Sequence, residues 1–150
     1  ATKEMGLYVD VLVLNAGVGS RGSHFTMGTD AIRHMIHLNI ESATILVSLY
    51  GNDMKNRIEN FQNSNNTAST SKKIGARILI VSSILGAVPG APTASMYAAS
   101  KAYLRSLAWG LAAEFQDLGI GVTCVLPGAT SSTKFATSSN IENASVWHFP

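Results

Sequence analysis

Tyr97 and Lys101 stand four residues apart in SMYAASKAYLRSL, residues 95–107, with only small residues between them. On a helix, positions i and i+4 are stacked neighbours, so this spacing puts a phenol and an ammonium on one face. A nearby ammonium favours the phenolate and lowers a pKa that otherwise lies at about 10. A tyrosine tuned in that way can give a proton to a carbonyl oxygen, or take one from an alcohol, nearer neutral pH. A serine hydroxyl from a neighbouring strand end, Ser82 or Ser83, could hold the same oxygen. A lone Tyr–Lys pair is more often surface decoration than chemistry, so its meaning rests on the elements around it.

Those elements can be read from the hydrophobic pattern. Val9–Leu14 is an apolar run rich in β-branched residues, closed by Asn15-Ala16-Gly17, and it reads as a parallel strand buried on both faces. Residues 18–28, with Gly19, Gly22 and Gly28, read as loop. Thr29 or Asp30 caps a helix expected to reach about Met54, with the stripe Ile32, Ile36, Asn39, Ala43, Val47 and Tyr50. The Asn- and Ser-rich stretch that follows, NRIENFQNSNNTASTSKKIGA, reads as a solvated polar insertion over about residues 58–75. Arg77–Val81 is a second strand, closed by Ser82-Ser83. A helix from Ser95 to about Leu118 follows, with Gly119 as its C-cap, and then a third strand, Val122–Leu126, stopped by Pro127-Gly128. Strand, helix, strand, helix, strand predicts an α/β fold: a Rossmann-like parallel sheet of three strands with two long right-handed crossover helices. Ligands of such sheets bind beyond the carboxyl ends of the strands, and the three polar turns and the start of the Tyr97 helix share that edge.

Bulk properties agree with a core-rich domain. Hydrophobic residues make up 46% of the 150 and charged residues 13%, which excludes a disordered chain. The net charge of +2 comes from scattered residues, so there is no basic stripe for nucleic acid. No apolar stretch approaches the roughly 18 residues of a membrane span. The single cysteine, Cys124, cannot form an internal disulfide and favours a reducing compartment. His34 and His37 have helical spacing but no further ligand in a motif, so packing is the better reading than metal. The sequons at Asn65-Asn66-Thr67 and Asn143-Ala144-Ser145 read as chance.

Five segments in series then carry a family resemblance: LNAG (14–17), Asn39 in HLNIESA, IVSSILG (80–86), YAASK (97–101) and VLPGATSS (125–132). In order and spacing they resemble the classical short-chain dehydrogenase/reductases, nearest to the carbonyl and 3-oxoacyl-type reductases. The resemblance implies an NAD(P)(H)-dependent interconversion of a carbonyl and a secondary alcohol. It makes Tyr97 the acid/base, Lys101 the group that lowers its pKa and holds the nicotinamide ribose, and Ser83 the orienter of the substrate oxygen. Asn39 would anchor a water relay from Lys101. Asn15, Ala16 and Gly17 would support the central strand near the cofactor's adenosine side, and Pro127, Gly128, Thr130 and Ser132 would hold the nicotinamide carboxamide. The cofactor implied is NAD(P)H, with NADP favoured over NAD, and no metal. The partners implied are a small carbonyl or alcohol substrate and a homodimer or homotetramer, in a cytoplasmic, organellar or membrane-associated setting.

The sequence departs from the family's pattern at Leu14, where a second asparagine is usual, and at Ser132, where threonine is usual. Neither touches the chemistry. A larger departure is the lack of a glycine-rich turn from strand to helix, whose amides and dipole would hold a pyrophosphate. The expectation is therefore a catalytic-half fragment, residues 1–150 of a partial NAD(P)-binding domain, lacking the first βαβ units and the last strand and inactive alone. The alternative is a truncated, non-catalytic remnant that acts through its long helices as a dimerisation or interaction module.

Overall fold

The computed structural model describes residues 3–65 and 75–128. Three strands, β1 (Val11–Leu14), β2 (Ala76–Val81) and β3 (Ile120–Val125), form one parallel sheet in the order β1-β2-β3. The connection from β1 runs through α1 (Thr29–Ile36), a π-helical turn (His37–Glu41) and α2 (Ser42–Asn65). From β2 it runs through α3 (Ser95–Phe115) and a short 3₁₀ turn (Gln116–Leu118). Gly119 closes that turn at φ 74°, a left-handed conformation that glycine adopts without a Cβ penalty. Because the strand order follows the chain order, both right-handed crossovers place their helices on the same face of the sheet.

That face holds the core. Leu14, Ile78, Ile80 and Ile120 of the sheet pack against Val47, Met54 and Ile58 of α2 and Leu104, Ala108 and Leu111 of α3. The other face is open among the described residues: Val11 and Val13 are 58% and 52% exposed. This corrects the expectation that the first strand is buried on both faces. Its composition is that of a two-sided strand, but helices cover one side only.

Two further corrections concern α2. The first helical pattern continues to Asn65, so residues 58–65 of the expected polar insertion are helix, and residues 66–74 lie outside the described residues. Ile58, 2% exposed, continues the buried stripe of Val47 and Met54, and this burial overrides the weak helix propensity of the asparagines. The second concerns continuity. A π-helical turn interrupts the helix at His37–Glu41, with the Ser42 N–H bonded to the His37 carbonyl. Met35, Asn39, Ala43 and Val47 all face inward at steps of four. In a regular α-helix such steps drift round the axis, and the extra residue of the π turn takes up the drift.

Candidate active site

The register pairs Leu14 with Ile80 and Val81 with Val125, so the three strands end almost level. The turns beginning at Asn15, Ser82 and Leu126 therefore leave the sheet along one edge, as the hydrophobic pattern implies. The α3 helix starts over this edge, preceded by Thr93 at φ 62°. A threonine in the left-handed region is uncommon and stores strain. The Thr93 carbonyl accepts from the Gly22 N–H at 2.8 Å, which links the loop after β1 to the start of α3.

Tyr97, Ser83 and Lys101 meet here. All three are buried, Lys101 to 4% exposure. Ser83 makes a side-chain hydrogen bond with the Tyr97 phenol. Its Oγ also accepts from the Leu85 N–H at 3.2 Å, which orients the serine on its turn. The Lys101 Nζ donates to the Val81 carbonyl at 2.9 Å and stands 5.8 Å from the centre of the Tyr97 ring. Burial pushes the Tyr97 pKa above the ordinary phenol value, and the Ser83 hydrogen bond opposes that shift. Burial likewise pushes the Lys101 ammonium below its ordinary value, with Cys124 opposing. The net shift of the phenol is thus upward, where a net lowering was expected. The ammonium is turned to a carbonyl, and desolvation of the phenolate dominates.

Asn39 is fully buried at the π turn. Its Oδ1 accepts from the Val18 N–H at 2.9 Å, and its Nδ2 donates to the Val18 carbonyl at 2.9 Å and to Ser100 Oγ at 2.9 Å. The Ser100 hydroxyl in turn donates to the Tyr97 carbonyl at 2.8 Å. One amide thereby ties the turn after β1 to the first turns of α3. Gly17 lies against the same group: a Cβ there would stand 3.2 Å from the Lys101 Nζ and 3.3 Å from the Asn39 Oδ1. Its missing side chain lets the loop after β1 pass this close to the ammonium.

Of the residues singled out in the sequence, Gly17, Asn39, Ser83, Tyr97 and Lys101 converge. Asn15 and Ala16 are exposed just beyond β1 and outside this cluster. Pro127 joins through its backbone, its carbonyl accepting from the Ile84 N–H at 3.0 Å, and Gly128 is exposed. Thr130 and Ser132 lie outside the described residues. Sequence reasoning gave no role to Ser100 or Gly86, and considered Ser82 only as an alternative to Ser83. The first stands inside the YAASK segment and the others inside IVSSILG, so the signal was their membership of those segments.

A sequence model described as short chain dehydrogenase matches residues 1–144. The chain belongs to the short chain dehydrogenase family. It is 32% identical over 122 residues to the cyclic-di-GMP-binding biofilm dispersal mediator protein of Escherichia coli K12, covering 80% of this chain and 43% of that protein. A protein of Beutenbergia cavernae solved with bound NADP superposes at a TM-score of 0.70 with 27% identity, over 86% of this chain and 45% of the other. A gluconate 5-dehydrogenase of Burkholderia cenocepacia, solved with NADP and tartrate, reaches 0.74 at 21% identity, over 90% and 46%, and shows the shared fold. The chain spans between 30% and 43% of the length of the curated relatives it matches.

Proposed function

We propose that these residues form the catalytic part of an NAD(P)(H)-dependent oxidoreductase that interconverts a carbonyl and a secondary alcohol. The activity belongs to a polypeptide that also supplies a pyrophosphate-binding turn. The observation that carries the reading is that Ser83, Tyr97 and Lys101, all buried, converge at the carboxyl edge of the sheet, with the Lys101 ammonium 5.8 Å from the centre of the Tyr97 ring. Membership of the family and the NADP-bound Beutenbergia relative support the cofactor class.

The residues present fit a nicotinamide ribose. Lys101 offers an ammonium beside Gly17 and Tyr97 offers a hydroxyl, so these two would hold the ribose, and Pro127 and Gly128 would border the carboxamide. When bound, a nicotinamide cofactor supplies or accepts the hydride. The chain's own part is the proton. Ser83 Oγ donates a hydrogen bond to the substrate oxygen, and Tyr97 gives that oxygen its proton in reduction or removes it in oxidation.

The raised Tyr97 pKa fixes the sign of the pH dependence. Reduction needs the neutral phenol, which persists from neutral pH up to a pKa above the ordinary tyrosine value. Oxidation needs the phenolate and should rise with pH through that same value. Steady-state kcat profiles in both directions, in the full-length polypeptide that carries this chain, are the test. Oxidation that is independent of pH across the alkaline range would remove Tyr97 from the proton transfer.

A further inference from the structure

Three consecutive residues at the end of β2 each grip α3. The Val81 carbonyl takes the Lys101 ammonium at 2.9 Å, the Ser82 Oγ donates to the Lys101 carbonyl at 2.6 Å, and Ser83 bonds the Tyr97 phenol. Strand alternation would turn Ser82 away from whatever Ser83 faces. Val81, however, is the last residue of β2, and the chain beyond it winds into a 3₁₀ turn over Ile84–Ala87. Both serine side chains are thereby presented to one helix.

The second contact falls on the same peptide. A Cβ at Gly86 would lie 2.6 Å from the Lys101 carbonyl carbon, 2.7 Å from its oxygen and 2.9 Å from the Ala102 nitrogen. Real Cβ atoms do not approach backbone that closely, so the turn can touch α3 only because residue 86 is glycine. Gly86 is in turn fixed to Ser83, its N–H donating to the Ser83 carbonyl at 2.9 Å. The turn that carries Ser83 is therefore one short rigid piece, and it holds the Lys101 peptide from two sides.

The Lys101 carbonyl lies in mid-helix and already serves the helix's own ladder, so it needs no further donor. The Ser82 hydroxyl, 3% exposed, adds a bond that the helix does not require. What the bond does require is one register of α3 along β2.

We propose that Ser82 is a positioning residue: its hydroxyl, with the bare backbone of Gly86, fixes the Lys101 turn of α3 to the end of β2 and so sets Lys101 and Tyr97 relative to Ser83. Its catalytic consequence rests on the reading of Tyr97 as the acid/base; the positioning itself does not. The charged and titratable groups around this turn are Lys101, Tyr97, Arg105 and Cys124.

The test is a titration of the Tyr97 ring, followed by NMR of tyrosine labelled at Cζ, in wild type, Ser82→Ala and Ser82→Thr. Far-UV circular dichroism checks the fold. In Ser82→Ala the Tyr97 titration midpoint should move while those of Tyr8, Tyr50 and Tyr103 stay in place. In the full-length polypeptide, kcat should fall about tenfold, less than the hundredfold that a whole ångström of misplacement costs. Ser82→Thr, which keeps the hydroxyl, should restore both. If Ser82→Ala does not fold, Ser82→Cys, which keeps the volume and weakens the donor, carries the same comparison. A Tyr97 titration in Ser82→Ala identical to wild type overturns the proposal. A displaced titration together with an active Tyr97→Phe enzyme would keep the positioning role and remove the catalytic reading.

Discussion

The two ends of one three-stranded sheet treat polar groups in opposite ways. At the carboxyl end, Asn39, Ser82, Ser83, Ser100 and Lys101 are all buried, and they are the buried polar and charged residues among those described. At the amino end, polar chemistry stays near water. Asp10, itself 68% exposed, pairs at 2.5 Å with Arg57, whose side chain is 19% exposed, and Lys55 meets Glu59 at 3.8 Å with both half exposed. Burying a polar group costs free energy unless it is hydrogen-bonded, and burying an ammonium costs more. The aliphatic core under α2 and α3 serves both ends. The polar groups gathered at the carboxyl end are tolerated there because they are hydrogen-bonded to backbone and to one another.

Substitutions should separate the two ends. The largest effect on stability should come from Asn39→Leu. It matches the side chain's volume but leaves the Val18 N–H and C=O without their partner and removes one from Ser100. Each stranded buried group costs about 1–3 kcal/mol, so a loss of about 3 kcal/mol is expected in denaturant unfolding. A loss below about 1 kcal/mol would mean that water replaces the amide and that this end is not dry. The smallest effect should come from Asp10→Ala at the other end. Asp10 is exposed while Arg57 is largely buried, so the pair should contribute about 1 kcal/mol, the upper end of the surface range, and the same unfolding measurement should register only a small change. A larger loss there would erase the contrast between the ends.

Much of this arrangement is legible in the sequence because it follows from local rules. Apolar runs of strand length, a left-handed glycine at 119 and the small residues between Tyr97 and Lys101 each specify their own conformation. The level strand ends follow from the parallel order, so the meeting of Ser83, Tyr97 and Lys101 could be anticipated. What escaped depends on contacts between segments. The π turn exists where Asn39 reaches residues 18 and 100, and nothing within residues 37–41 announces it. Helix through residues 58–65 depends on Ile58 finding the sheet, which outweighs an unpromising composition. The open face of β1 cannot be told from a covered one by its valines, since burial is decided by what packs there from elsewhere. The choice of Ser83 over Ser82 came from the family resemblance, and the bond from Ser82 to the Lys101 carbonyl depends on how the chain turns beyond the end of β2.

The Tyr97–Lys101 pair is a correct pairing whose net outcome is set by burial. Proximity on a helix face was right, and the two side chains do meet. Burial then outweighs charge, since the phenolate is the form that desolvation penalises.

The central claim is that the phenol of Tyr97 moves the proton, and Tyr97→Phe tests it most directly. The substitution removes one oxygen and leaves the ring packed where it is. Measured in the full-length polypeptide, kcat for carbonyl reduction should fall by about 10²–10⁴-fold, the usual worth of a general acid. The dissociation constant for NADPH, followed by fluorescence titration, should change little, because Lys101 and the rest of the cofactor site remain. Turnover close to wild type in Tyr97→Phe would contradict the account and move the proton to another group.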